Sequence, residues 1–291
     1  MNKPLGLWNA VILLCLPCMI LVAFTHYPLL QSVLGSFWNN ATAIRPSRFV
    51  GLDNYEQLFS DDRLAGVVWN SLIYALVTIP VSIALSISMA LLVNSRLPGR
   101  AFMRLSFFLP TMLPMIAVAN LWLFVYAPGI GLVAQIFSIL GLPSVNFLGD
   151  ADTVLGAMMV VAIWKEAGLF MVFYLAALQS VPTNLKEAAR LEGAGPVRVF
   201  FDVVWPLLTP TTVFVAVNAL LNAFRMIDHV VVMTEGGPNN ASALLLYYVY
   251  QVTFGFRDFA YGATLTVLLA SALGILALVQ FKILDRRAHY Q

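Results

Sequence analysis

Residues 181–210 read VPTNLKEAARLEGAGPVRVFFDVVWPLLTP, a charged stretch with a long apolar run on either side. Asn184 stands three residues before Glu187, the spacing of a capping box, and residues 185–192 are rich in strong helix formers. Gly193-Ala194-Gly195-Pro196 interrupts that helix, and Pro196 suits the first turn of a second one. Val197, Phe200, Phe201 and Val204 then fall at i, i+3, i+4 and i+7, one apolar face, with Arg198 and Asp202 on the other. The small residues Ala188, Ala189, Gly193 and Ala194 let another surface approach the first arm closely. Trp205-Pro206 returns the chain to apolar sequence. These residues alone allow two readings: an amphipathic connector lying on a membrane surface, or a two-armed docking element for a partner.

The flanks decide the class. Of 291 residues, 60% are hydrophobic and 10% charged, with a mean hydropathy of +0.86. A soluble domain carries about 25% charged residues, so this chain has too little polar surface to stay in water. Six apolar segments, at residues 7–37, 66–94, 101–126, 153–180, 206–227 and 259–284, are each long enough to cross about 30 Å of hydrocarbon as a helix. The fold class expected is all-α, a polytopic membrane protein with six transmembrane helices. The first segment is too long for the apolar core of a signal peptide and is read as a retained span. Pro110 and Pro114 inside the third predict a bent or partly broken span, either beside a translocation path or as a packing kink. A net charge of +2 does not suggest a nucleic-acid partner.

Topology follows from the connecting loops. Lys3, Arg96, Arg100, Arg104, Lys186, Arg190, Arg198, Lys282, Arg286 and Arg287 fall on one side. Arg45, Arg48, Arg63 and Arg257, mixed with eight acidic residues, fall on the other. Ten cations against four put both termini and the 181–210 loop in the cytoplasm. On the outer side, residues 132–140 are expected to form one short helix. Residues 241–254, apolar but too short to span, are expected to form an interfacial or surface helix.

Glu187-Ala188-Ala189, three residues, Gly193, nine residues, Val203, one residue and Trp205-Pro206 resemble the EAA motif of binding-protein-dependent ABC importer permeases. Val203 and Trp205 stand where that family has Ile and Leu. The resemblance extends to Trp164-Lys165-Glu166, residues 178–182, 224–228 and 234–238, and Gly51-Leu52-Asp53-Asn54-Tyr55, which look like segments of sugar-type and glycerol-3-phosphate-type permeases. It implies a type I importer permease (MetI-like) fold in the bacterial inner membrane. The chain then divides into a first helix and outer loop (1–65), a permease core (66–284) with coupling helices at 182–205, and a cytoplasmic tail (285–291). It implies that Glu187, Ala188, Ala189, Gly193, Ala194, Phe200, Phe201 and Pro206 serve ATPase coupling. The implied partners are a second, non-identical permease, two ATPase subunits that bind ATP and Mg, a periplasmic binding protein and the lipid bilayer. No cofactor is expected on this chain itself, which has no Gly-Lys dipeptide and hence no Walker-type phosphate loop.

Polar and ionisable residues inside apolar segments are candidates for the pathway because burying them is costly. They are Lys165 and Glu166 in the fourth segment, Asn218, Asn222, Arg225 and Asp228 in the fifth, and Asn120 in the third. Trp122, Tyr126, Trp164 and Tyr174 are candidates for stacking on a sugar face. Packing roles remain open beside these: Lys165 and Glu166 between spans, Arg225 and Asp228 as a gate or a structural pair three residues apart on one helix face, and Trp122 and Tyr126 as interface aromatics. Cys15 and Cys18 read as small apolar residues in a lipid-embedded helix, with redox or zinc chemistry as the alternative. The rival to an importer subunit is an ion-coupled secondary transporter or channel without an ATPase. An intramembrane enzyme would need a nucleophile–base or metal constellation, which the sequence does not offer.

Overall fold

The computed structural model describes residues 7–41, 46–95 and 97–285. Lys3, Arg45, Arg96, Arg286, Arg287 and His289, and the expected tail beyond Asp285, lie outside the described residues. In chain order the helices are α1 (Leu7–Leu21), α2 (Tyr27–Gly35), α3 (Asp53–Ser60), α4 (Asp62–Asn94), α5 (Arg100–Met112), α6 (Met115–Val125) and α7 (Leu132–Ile139). They continue with α8 (Val154–Ser180), α9 (Thr183–Leu191), α10 (Pro196–Val199), α11 (Trp205–Arg225), α12 (Asp228–Met233), α13 (Leu245–Tyr250) and α14 (Phe259–Asp285). Wider π turns join α1 to α2, join α10 to α11 and follow α13. Among the described residues there is no strand, only an isolated antiparallel bridge between Trp38 and Phe49.

Five helical runs are long and apolar enough to cross a membrane, and the pair α5–α6 supplies a sixth if counted as one span. They coincide with the six segments expected. At the third segment α5 and α6 meet at 106°, the geometry of a broken span or a re-entrant loop. The break falls where Leu113 (φ −83°, ψ 138°) and Pro114 (φ −57°, ψ 144°) are extended. Pro114 has no N–H and disfavours a helical conformation in the residue before it. Pro110 stays inside α5, buried.

Two compact units divide the chain. One consists of the described residues up to Asp62 together with Val249–Ala272. Within it, Asn40 ties the first outer loop to the start of α14: its Oδ1 accepts from the Ala260 N–H at 2.8 Å and its Nδ2 donates to Asp258 at 2.6 Å. The Tyr261 hydroxyl donates to Asp61 at 2.7 Å, and α2 comes close to Ala263 at Gly35. The helix α3 lies in a loop for which the sequence predicted no element.

The other unit consists of Arg63–Tyr248 and the chain from Leu273. At its centre α8 buries Phe170, Met171 and Tyr174 completely, packed with Ile87 of α4 and Leu208 of α11. A second cluster joins Met115 and Val118 of α6 to Val161 of α8 and Met233 of α12. Gly168 makes the α5–α8 contact possible, because a Cβ there would overlap the Phe107 carbonyl oxygen. Residues 132–139 form the expected short helix. The interfacial or surface helix expected at 241–254 is instead α13 and a π turn, and Leu244, Leu245, Tyr247 and Tyr248 are buried. The reason lies in α4: Asn70 donates to the Asn240 and Ala243 carbonyls, and the Ser71 hydroxyl accepts from the Leu245 N–H at 2.8 Å.

Candidate functional site

The 181–210 loop forms the two expected arms. The first, α9, ends in a Schellman turn. The Ala194 N–H donates to the Ala189 carbonyl and the Gly193 N–H to the Arg190 carbonyl, both at 3.0 Å. Gly193 occupies the left-handed position this turn requires (φ +84°), and no atom outside its immediate neighbours lies within 4 Å of where a Cβ would be. Glycine is therefore needed at this position for its backbone, while its surface stays open. Glu187 and Ala188 are exposed, Ala189 and Ala194 are half-buried, and Leu191 is 90% exposed.

Two local expectations fail here. Asn184 does not cap the helix: α9 begins at Thr183 behind extended Pro182, which places Asn184 inside the first turn. Its Oδ1 accepts from the Leu185 N–H at 3.0 Å instead. The second arm also does not keep a 3.6-residue apolar face. After the single turn of α10 the chain widens into a π turn over Phe200–Val204 and runs straight into α11. Val199 and Val204 are buried, whereas Val197 and Phe201 are exposed. Phe200 packs against the core and meets Phe201 edge-on at 5.1 Å. Arg198 and Asp202 do pair across one turn, at 3.1 Å. Pro206 is the second residue of α11, which directly follows the π turn.

The interior candidates separate into distinct environments. Lys165 and Glu166 are adjacent in sequence but turn to different neighbours. The Lys165 ammonium donates to the Leu113 carbonyl at 2.7 Å and the Thr111 carbonyl at 3.5 Å. Glu166 is buried and interacts with the Asn222 side chain of α11, with Tyr74 of α4 in its electrostatic reach. Asn222 is thereby brought to Glu166. Asn218 and Asn120 bond to carbonyls one turn back in their own helices. Trp122 meets Trp164 edge-on at 5.6 Å and Tyr126 at 5.2 Å, whereas Tyr174 is wholly buried in the core. Cys15 and Cys18 are exposed and unbridged on α1.

Arg225 and Asp228 do not share a helix face. The helix α11 ends at Arg225, Met226 is extended (φ −79°, ψ 106°) and Asp228 opens α12. Spacing read on a continuous helix missed this stop. Sequence reasoning also passed over His229, which is completely buried and shares a 3.0 Å hydrogen bond with Tyr74. A lone histidine beside a span end carries no signal of a partner 155 residues away.

Comparison with known proteins places this geometry. Residues 64–290 match the family described as "Binding-protein-dependent transport system inner membrane component". The chain is 32% identical over 264 residues to the sn-glycerol-3-phosphate transport system permease protein UgpA of Yersinia pestis bv. Antiqua (strain Antiqua), covering 88% of both chains. It is also 32% identical to the sulfoquinovosyl glycerol transport system permease protein SmoG of Agrobacterium fabrum, covering 89% of this chain and 85% of that one. In fold it resembles a chain of a bacterial alginate ABC transporter crystallised with alginate pentasaccharide-bound periplasmic protein. That match has a TM-score of 0.85 at 20% identity and covers 97% of this chain and 98% of that one. An inward-facing MetNI methionine ABC transporter chain matches with a TM-score of 0.57 at 19% identity, over 80% of this chain and 99% of that one. The chain belongs to the family of inner-membrane permease components of binding-protein-dependent ABC transport systems.

Proposed function

We propose that this chain is half of the translocation pathway of an ATP-driven importer for a carbohydrate or polyol, coupled to its motor through residues 182–205. The observation that carries the coupling reading is the exposed first arm, which presents Glu187, Ala188 and Leu191 around a glycine turn open to a partner. In this reading both termini and this loop are cytoplasmic. Two ATPase subunits bind ATP and Mg, and one of them receives the loop in a surface groove. A second, non-identical permease completes the path, and a periplasmic binding protein delivers the substrate. ATP binding then moves the loop as a rigid body and switches access from one side to the other. The chain itself supplies no hydrolytic chemistry.

The systems named for two relatives carry glycerol derivatives bearing an acidic group. An anionic polyol or sugar derivative is accordingly the substrate class proposed. Asn120, Trp122, Asn218, Asn222, Arg225 and Asp228 are its candidate contacts. Glu187→Lys and Gly193→Asp are expected to abolish co-purification of the ATPase and to lower uptake, while insertion in the membrane is retained. Normal ATPase recovery with both variants would refute the coupling role.

A further inference from the structure

We propose that Lys165 is the positioning residue of the broken span, gripping the end of α5 from α8 and so fixing the direction in which α6 departs. The Leu113 N–H donates to the Pro110 carbonyl, but the break at Leu113 and Pro114 leaves the carbonyls of Thr111 in α5 and of Leu113 just beyond it without helical donors. Hydrocarbon surroundings provide no water to replace those donors. The same end of α5 carries the negative pole of the helix dipole, which favours a cation. Lys165 meets both demands with one group, donating to Leu113 and Thr111.

The neighbours of Lys165 on α8 complete the grip. One turn on, Gly168 lets the α5 backbone approach closely enough for the lysine chain to reach these carbonyls. One residue back, Trp164 meets Trp122 on α6. Three nearby residues of α8 thus hold both sides of the break. Lys165 forms no ion pair with Glu166 among the described residues, and Glu166 interacts with α11. The hydrogen bonds of Lys165 go to the break, although Glu166 lies within electrostatic reach of its charge, and Lys165 acts on transport through α6, which carries Asn120 and Trp122. The geometry is independent of the proposed function, and only the transport readout below rests on it.

The test uses the assembled importer in nanodiscs, with Cys15 and Cys18 changed to Ser. Spin labels are placed at Leu105→Cys on α5 and Phe124→Cys on α6, both exposed positions. Pulsed dipolar spectroscopy reads the distance between them. Lys165→Met is expected to shift or broaden that distance distribution, and Lys165→Arg to restore it. In uptake, Lys165→Met is expected to lower the maximal rate about tenfold with KM changed less than about twofold, and Lys165→Arg to recover most of the rate. An unchanged distribution in Lys165→Met overturns the proposal. A raised KM with that unchanged distribution would instead assign Lys165 to substrate. If Lys165→Met does not assemble, Lys165→Gln keeps a donor without charge: partial broadening supports the proposal and none overturns it. ATPase recovery with Glu187→Lys is a separate measurement, so failure of either reading is recognised independently.

Discussion

At Gly193 a helix ends in an exposed polar loop; at Leu113 a helix ends within an apolar, membrane-length segment. Both ends leave backbone carbonyls without helical donors. The first is closed locally, by the N–H groups of Gly193 and Ala194, and depends on a glycine at φ +84°. The second has one long local bond, from the Leu113 N–H to the Pro110 carbonyl at 3.4 Å, and is otherwise closed from a distance, by a lysine on α8. In water, a turn needs only the right backbone conformation, because solvent satisfies whatever remains. In hydrocarbon, every freed carbonyl needs a named partner, and that partner binds the broken helix to its neighbour. The exposed turn is therefore free to present its surface to another chain, while the break between α5 and α6 is tied to α8.

This contrast sets an order of effects. The largest is expected where α8 packs against α5 beside the break. Gly168→Leu forces a side chain into the Phe107 carbonyl, and neither backbone can yield without separating α5 from α8. A cost of about 3 kcal/mol is expected, at the upper end for overpacking. The measurement is the thermal midpoint of the purified protein, and an unchanged midpoint would mean that the α5–α8 contact is not rigid. The Lys165 variants come next.

A smaller effect is expected at the exposed turn. Gly193→Ala meets no atom of the surrounding structure, so its only cost is the left-handed backbone, about 1 kcal/mol. It should raise amide exchange at the end of α9 about fivefold while the membrane-embedded core keeps its protection. Arg198→Ala should change stability by less than about 0.5 kcal/mol, because both partners of its ion pair are largely exposed. A larger loss would show that the second arm is held by its charges as well as by Val199, Val204 and Phe200.

The same contrast explains what the sequence made legible. Apolar length alone located the five long helices and the α5–α6 pair, and Gly193-Ala194-Gly195-Pro196 located the exposed turn, because both signals are local. Pro110 and Pro114 announced a bend, but the 106° angle depends on what α8 offers across the break. The carbonyl partners of Lys165 lie 54 and 52 residues away, and no spacing rule connects them. For the same reason His229 with Tyr74, and Glu166 with Asn222, became visible only in three dimensions. The two errors of register, Asn184 as a cap and the apolar face of the second arm, arose where the helix begins two residues earlier than its capping signal implies and where a wide turn replaces regular helix. The Arg225–Asp228 pairing failed because Met226 ends the helix, which apolar periodicity does not reveal.

The most direct test of the account is uptake into proteoliposomes containing this chain, its partner permease and the binding protein, with and without the ATPase subunits. Uptake is expected only when the ATPase and ATP are present, and it is expected to be lost when Glu187→Lys replaces the native residue. Uptake driven by an ion gradient in the absence of the ATPase would contradict the account.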